Sequence, residues 1–276
     1  MNNLENALSI VRLSDTGKLR KRNEDTIASD VSIGLAVLAD GMGGYNAGDV
    51  ASQMAVLTIT ADLKTKFKNA IQENQLIDTS NIKSHLVNAV NTANNAIFQV
   101  SKEQAQCAGM GTTLVLSVFI DNKVVIGHIG DSRAYLFRNH DLTQLTNDHS
   151  VLQEQLDSGL LTAEQAKFVT YKNYVTRALG VESEVDLELS TFDVAIGDIY
   201  LLCSDGLTEM VEEDEIRTTL IENSDDIAHA ANTLVQKANQ HGGKDNISVI
   251  LIEVLAEFAL NKTTWYKALI SKVIKG

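Results

Sequence analysis

Leu35 to Gly44 reads LAVLADGMGG, five apolar residues closed by Asp40 and a run rich in glycine. An unbroken apolar stretch of this kind reads as a buried strand, which puts the carboxylate where the strand meets a loop. YLLCSDGLTE from Tyr200 to Glu209 repeats the arrangement with Asp205, and RKRNEDT from Arg20 to Thr26 carries Glu24 and Asp25. GGKDNISVILIEV from Gly242 reverses the order and places Asp245 before its run, while VVIGHIGDSRAYLF from Val124 sets Asp131 between two runs. Antiparallel neighbours run in opposite directions, so the end of one strand lies beside the start of the next. Asp40 and Asp205 close their strands and Asp245 opens its own, which makes the acids candidates for one shared site. Glycine beside them lets the backbone approach a ligand closely.

Clustered carboxylates repel one another and persist when cations neutralise them or when their protonation changes. Oxygen ligands favour magnesium, manganese or calcium over zinc, and no Cys or His pair here has zinc-site spacing. Two such ions about 3.5 to 4 Å apart orient a phosphate and an attacking water for in-line displacement. The chemistry expected is metal-assisted phosphoester hydrolysis.

Taken in order, RKRNED, DGMGG, GMGTT, GDSRAYL, SDGL and GGKDNISV resemble the motifs of the PPM protein phosphatases, the metal-dependent type 2C serine/threonine enzymes, in their bacterial form. The resemblance runs from about residue 9 to about residue 254. It implies that Asp40 bridges two Mn2+ or Mg2+ ions, that the Gly41 carbonyl ligates one of them, and that Asp205 and Asp245 complete the first. Glu24 and Asp25 match the pair that holds metal-bound waters. Arg20, five positions before Asp25, matches the phosphate-binding arginine, a task suited to bidentate hydrogen bonding. Asp131 with Asp205 would hold a third ion whose remaining ligand comes from a flap, where Asp157 and Glu164 are the acids on offer. Animal members carry a His general acid after the DG; here the residue is Met42, so a proton must come from a metal-bound water or from His149.

Other readings of these residues are weaker. A lone Asp at a strand end is usually a turn former or helix cap. DGMGG lacks the GxGxxG spacing, and no GxxxxGKS or GxxxxGKT stretch occurs. Neither Cys107 nor Cys203 is followed six residues on by the arginine a cysteine-dependent phosphatase loop needs. His128 sits in an apolar strand and reads as core.

At 276 residues and 44% apolar content the chain can bury one substantial core, and two cysteines provide no disulfide framework. No basic start with a long apolar stretch marks a signal peptide, and no 18-residue apolar run marks a membrane span, which points to the cytoplasm. A net charge of −13 argues against non-specific nucleic-acid binding.

Strand runs at 34–40, 112–120, 123–130 and 132–138 with short turns such as Asp121-Asn122 read as an antiparallel meander. Helical patterns precede it, one with Ile82, Leu86, Ala89, Val90, Ala93, Ile97 and Val100 on one face. Another, with Ile227, Ala230, Ala231, Leu234, Val235 and Ala238, starts after Ser224 as cap and stops at Gly242. LQEQLDSGLLTAEQAKF is helical, with Thr162 and Gln165 as a capping box, and falls in a flap at about 147–177. The resemblance implies an α+β fold: a four-layer α-β-β-α sandwich with two antiparallel sheets face to face and helices outside. Residues 1–254 would form the phosphatase domain and 255–276 an amphipathic tail, with Trp265, Leu269 and Val273 at four-residue steps among lysines.

The function expected is removal of phosphate from serine and threonine of proteins by a monomer that opposes a serine/threonine kinase. A small-molecule phosphoesterase and a non-catalytic phosphoprotein-binding scaffold are the alternatives.

Overall fold

The structure, a computed structural model, describes residues 4–43, 47–73, 75–166, 169 and 174–260. Strands and helices are numbered in chain order. One sheet runs β1 (Leu8–Asp15), β11 (Ile247–Val254), β10 (Ile199–Cys203), β7 (Arg133–Arg138) and β8 (Asp141–Gln144), every pair antiparallel. The other runs β2 (Asp25–Asp30), β3 (Leu35–Met42), β5 (Leu114–Ile120), β6 (Lys123–Ile129) and β9 (Glu188–Asp193), again antiparallel, with the short β4 (Gly111–Thr112) on the end of β3.

Side chains alternate across a strand, and β3 shows what its unbroken apolar run is for. Leu35, Val37 and Ala39 pack against α2 (Gly48–Glu73) and α3 (Ile82–Glu103), whereas Ala36 and Leu38 face the opposite sheet. In the other sheet Leu201 and Cys203 of β10 pack on α7 (Glu213–Glu222) and α8 (Ile227–Gln240), while Tyr200 and Leu202 turn inward. Both faces of each sheet are buried, so the layers run helix, sheet, sheet, helix. Phe119 of β5 meets Tyr200 edge-on, ring centroids 5.2 Å apart, and joins the two sheets toward the end away from the aspartates.

Three sequence expectations change in detail. The meander is interrupted: β5 and β6 form a hairpin through Asp121 and Asn122, both at φ 53°, but β7 belongs to the other sheet. The chain crosses between sheets at Gly130, Asp131 and Ser132, which places Asp131 at the seam. Helix α8 is capped by Asp226, whose carboxylate accepts from the Ala228 and His229 amides, rather than by Ser224. The helical stretch after residue 150 is two short helices, α4 (Val151–Asp157) and α5 (Ala163–Ala166), separated around Gly159. The Thr162 and Gln165 box forms there, with bonds of 2.9 and 3.3 Å.

Beyond β11, Leu255 donates to the Ala7 carbonyl and Phe258 is buried against Phe119. The amphipathic pattern from Trp265 lies outside the described residues. Among the described residues no helix is long and apolar enough to cross a membrane.

Removing the ring that joins the sheets leaves a cavity between two layers that cannot collapse independently. Phe119→Ala is expected to cost about 3–5 kcal/mol of unfolding free energy in urea titration. A loss below about 1 kcal/mol would mean that the inter-sheet layer is not what holds the sandwich together.

Candidate metal centre

The register of β2 on β3 sets Asp25 directly opposite Asp40. On the other sheet Cys203 pairs with Val249, so Asp205, at the start of the short helix α6 (Asp205–Thr208), emerges at the same end as Asp245 before β11. Asp131 arrives from the crossing between sheets. All four of these neighbours act on Asp40 electrostatically, so the sandwich gathers the predicted aspartates at one end.

The cost of that gathering appears in their acidities. Burial, and then the surrounding carboxylates, push Asp40 and Asp205 well above the usual range. Burial pushes Asp25 and Asp131 each up to about 6. Burial and the nearby Asp49 raise Glu24. Asp25 Oδ2 accepts the Ser204 hydroxyl at 2.9 Å, but Asp25 Oδ1 and Asp205 Oδ1 are buried with no hydrogen-bond partner. Buried polar atoms are normally satisfied. Two orphaned carboxylate oxygens within an all-oxygen cluster fit hard divalent cations.

Backbone packing fixes the loops that carry the acids. A Cβ on Gly41 would lie 2.1 Å from the Gly48 carbonyl, so only glycine admits the start of α2 beside Asp40. The Gly41 amide donates to the Glu24 carbonyl at 3.1 Å. Asp40 is held by its own main chain: its amide donates to Thr113 Oγ1 at 3.1 Å and its carbonyl accepts the Thr112 hydroxyl at 2.8 Å.

Asn246 organises the other side. Its Oδ1 accepts the Glu24 amide at 2.8 Å, and its Nδ2 donates to the carbonyls of Thr16 and Arg22, each at 2.9 Å. One buried amide thus ties the loop bearing Arg20 and Glu24 to the turn bearing Asp245. Sequence reasoning missed Asn246, Ser204, whose hydroxyl bonds Asp25, and Glu209, whose charge acts on Asp131 and Asp205, although each stands beside or near a singled-out acid.

Arg20 reaches Asp245, Nη2 to Oδ2 2.5 Å, with half its side chain exposed. The flap acids are not brought in: Asp157 is bonded to Asn147 and Gln153, and the charges that chiefly shift Asp131 are Asp148, Arg133 and Glu209. His149 is buried, its Nδ1 accepting the Gly130 amide at 3.2 Å and its Nε2 facing Glu188 at 3.3 Å. Both ring nitrogens are therefore engaged, one by the Gly130 amide just before Asp131 and the other by Glu188 of β9. His128, His149 and Glu188 bring ligand atoms within 4.8 Å of one another. However, His128 Nε2 donates to the Asn147 carbonyl at 2.8 Å and the two rings stack at 24°, so their in-plane lone pairs run side by side instead of converging.

Comparison with known proteins agrees with this fold. The sequence profile of the family described as Protein phosphatase 2C matches residues 20–251. The serine/threonine phosphatase stp of Listeria monocytogenes is 38% identical over 243 residues, 87% of this chain and 93% of that protein. The protein phosphatase PhpP of Streptococcus pneumoniae is 36% identical over 255 residues, 91% of this chain and all of that one. The crystal structure of the Mycobacterium tuberculosis serine/threonine phosphatase PstP/Ppp superposes with a TM-score of 0.79 at 34% identity, covering 91% of this chain and 100% of that chain. The PstP catalytic domain in complex with two manganese ions does so at 0.78, 34% identity, and 91% and 99% coverage.

A carboxyl whose folded pKa is raised binds protons that the unfolded chain has lost. Its favourable contribution is complete below about pH 4 and is lost as pH climbs through about 6 for Asp25 and Asp131, and higher still for Asp40 and Asp205. Asp40→Asn, which removes one repelling charge, should therefore melt above wild type in chelator at pH 7.5, with a smaller gain at pH 5. Manganese should reverse the order. Identical melting at both pH values would contradict the charge crowding.

Proposed function

The chain belongs to the protein phosphatase 2C family, and on that footing we propose that it is a metal-dependent protein phosphatase that removes phosphate from serine and threonine. The observation that carries this reading is the pair of buried, unpartnered oxygens on Asp25 and Asp205 where the aspartates converge. Asp40, the Gly41 carbonyl, Asp205 and Asp245 would hold two divalent ions, Mn2+ or Mg2+, with Glu24 and Asp25 around their waters. Asp131 and Asp205 would hold a third. When bound, the ions supply Lewis acidity to the phosphoryl oxygens and lower the pKa of the attacking water.

The chain itself contributes position and charge. Arg20, on a loop clamped by Asn246, exchanges Asp245 for the phosphate oxygens and orients them through its fork of donors. Asn246 and Ser204 keep Glu24 and Asp25 from relaxing away from one another when the charge state changes. Met42 offers no proton and both ring nitrogens of His149 are engaged, so water in the site supplies the proton that turns the departing serine or threonine oxygen into a hydroxyl.

The substrates are phosphorylated proteins, and the partner is a serine/threonine kinase whose products the enzyme reverses. The protein works as a monomer in the cytoplasm. A small-molecule phosphoesterase fits less well, because the named relatives are protein phosphatases. A scaffold without catalysis fits less well, because every acid of the motif set is present.

Phosphate release from a phosphothreonine peptide should require manganese, stop with EDTA, and be absent in Asp205→Ala. Folded protein with no turnover under any divalent ion would overturn the enzyme reading. Arg20→Ala should lose roughly tenfold to a hundredfold in kcat/KM, as expected for hydrogen bonds to a charged group. An unchanged kcat/KM would remove Arg20 from phosphate binding.

A further inference from the structure

Next to the acidic centre lies a surface of opposite charge. Lys18 and Leu19 amides both donate to the Gly243 carbonyl, at 2.7 and 3.2 Å, and Asn246 binds the carbonyls of Thr16 and Arg22. Two distant turns, 16–22 and 242–245, are thereby fused into one rim around Arg20. Lys18, Lys21, Arg22 and Lys244 on this rim are all exposed. A Cβ on Gly243 would lie 3.2 Å from Lys18 Cγ and one on Gly242 3.7 Å from Lys244 Cγ, so the two lysine stems flank the same glycine turn.

Among the described residues Lys18, Lys21 and Lys244 make no ion pair, and Arg22 has only a 4.0 Å approach to Asp49. On a chain of net charge −13 with many acids available, unpaired cations on two turns locked together are an unusual concentration. Leu19, 70% exposed between them, adds an apolar contact. Exposed lysines of this kind give electrostatic complementarity and steer association.

We propose that this rim selects protein substrates carrying aspartate or glutamate within a few residues of the phosphorylated side chain. The inference rests on the phosphatase reading above and adds a substrate class to it. With the phosphate on Arg20, the flanking chain passes over Lys18, Lys21 and Lys244, where acidic side chains find partners and basic ones are repelled. The competing role for the same lysines is to offset the charge of the metal-site acids.

Phosphothreonine peptides of equal length with acidic, neutral or basic flanks, and p-nitrophenyl phosphate as a substrate without flanks, separate these possibilities at saturating manganese. Wild type should favour acidic over neutral flanks by roughly tenfold in kcat/KM at low salt, carried by KM, with the ratio shrinking as salt rises. In Lys18→Gln/Lys21→Gln/Lys244→Gln the ratio should fall to about one, with p-nitrophenyl phosphate turnover and the manganese requirement unchanged. Equal rates on acidic and neutral flanks in wild type, or a preference that survives in the triple variant, would overturn the proposal while p-nitrophenyl phosphate turnover keeps the phosphatase reading intact. A shifted manganese requirement in the triple variant would overturn it in favour of charge offset. No turnover of any substrate would sink both readings.

Discussion

Repulsion among buried carboxylates is the constraint on which the rest of this molecule depends. Asp25, Asp40, Asp131, Asp205 and Asp245 meet at one end of the sandwich, and burial with neighbouring charge raises the pKa values of the innermost ones, making them weaker acids. An isolated loop would relieve that crowding by moving its acid into water. Here the acids cannot move, because each sits at the end of a strand or on a turn whose main chain is bonded into the sheets.

That rigidity comes from burial on both sides. Helices cover the outer faces while Phe119, Tyr200, Leu38 and Leu202 fill the space between the sheets, so the strands that deliver the aspartates are packed above and below. Hydrogen bonds finish the alignment locally. Thr112 and Thr113 grip the main chain of Asp40, Ser204 holds one oxygen of Asp25, and Asn246 ties three groups of the preceding loop to β11. A satisfied buried network of this type fixes one arrangement, since any member released would remain without a partner in a low-dielectric setting. The unpartnered oxygens are left on Asp25 and Asp205, within the cluster of acids.

Much of this was legible along the chain because strands are local and their apolar runs are continuous. LAVLA before Asp40 marks a strand buried on both faces, the glycines mark close backbone approach, and the cap of α5 by Thr162 and Gln165 could be read from spacing alone. Less legible was anything that needed a partner from elsewhere. The break between β6 and β7 looks like any short turn in sequence, yet the chain changes sheets there. Ser224 and Asp226 are both good caps, and only the fold decides that Asp226 bonds the first turn of α8. His149 reads as a spare proton donor until Gly130 and Glu188 occupy its two nitrogens.

By itself the sequence determined which residue types are available and at which strand ends: the acids, the arginine before them, the glycines and the two-faced apolar runs, because period and local steric preference act over a few neighbours. Tertiary structure alone decided which of those groups share a field. Asp25 opposes Asp40 through strand register, Asp131 joins them through a change of sheet, and Asn246 locks residues more than two hundred positions away. Charge repulsion, desolvation and hydrogen bonding fall off over a few ångströms, so they are set by distances in space that only the packed sandwich defines.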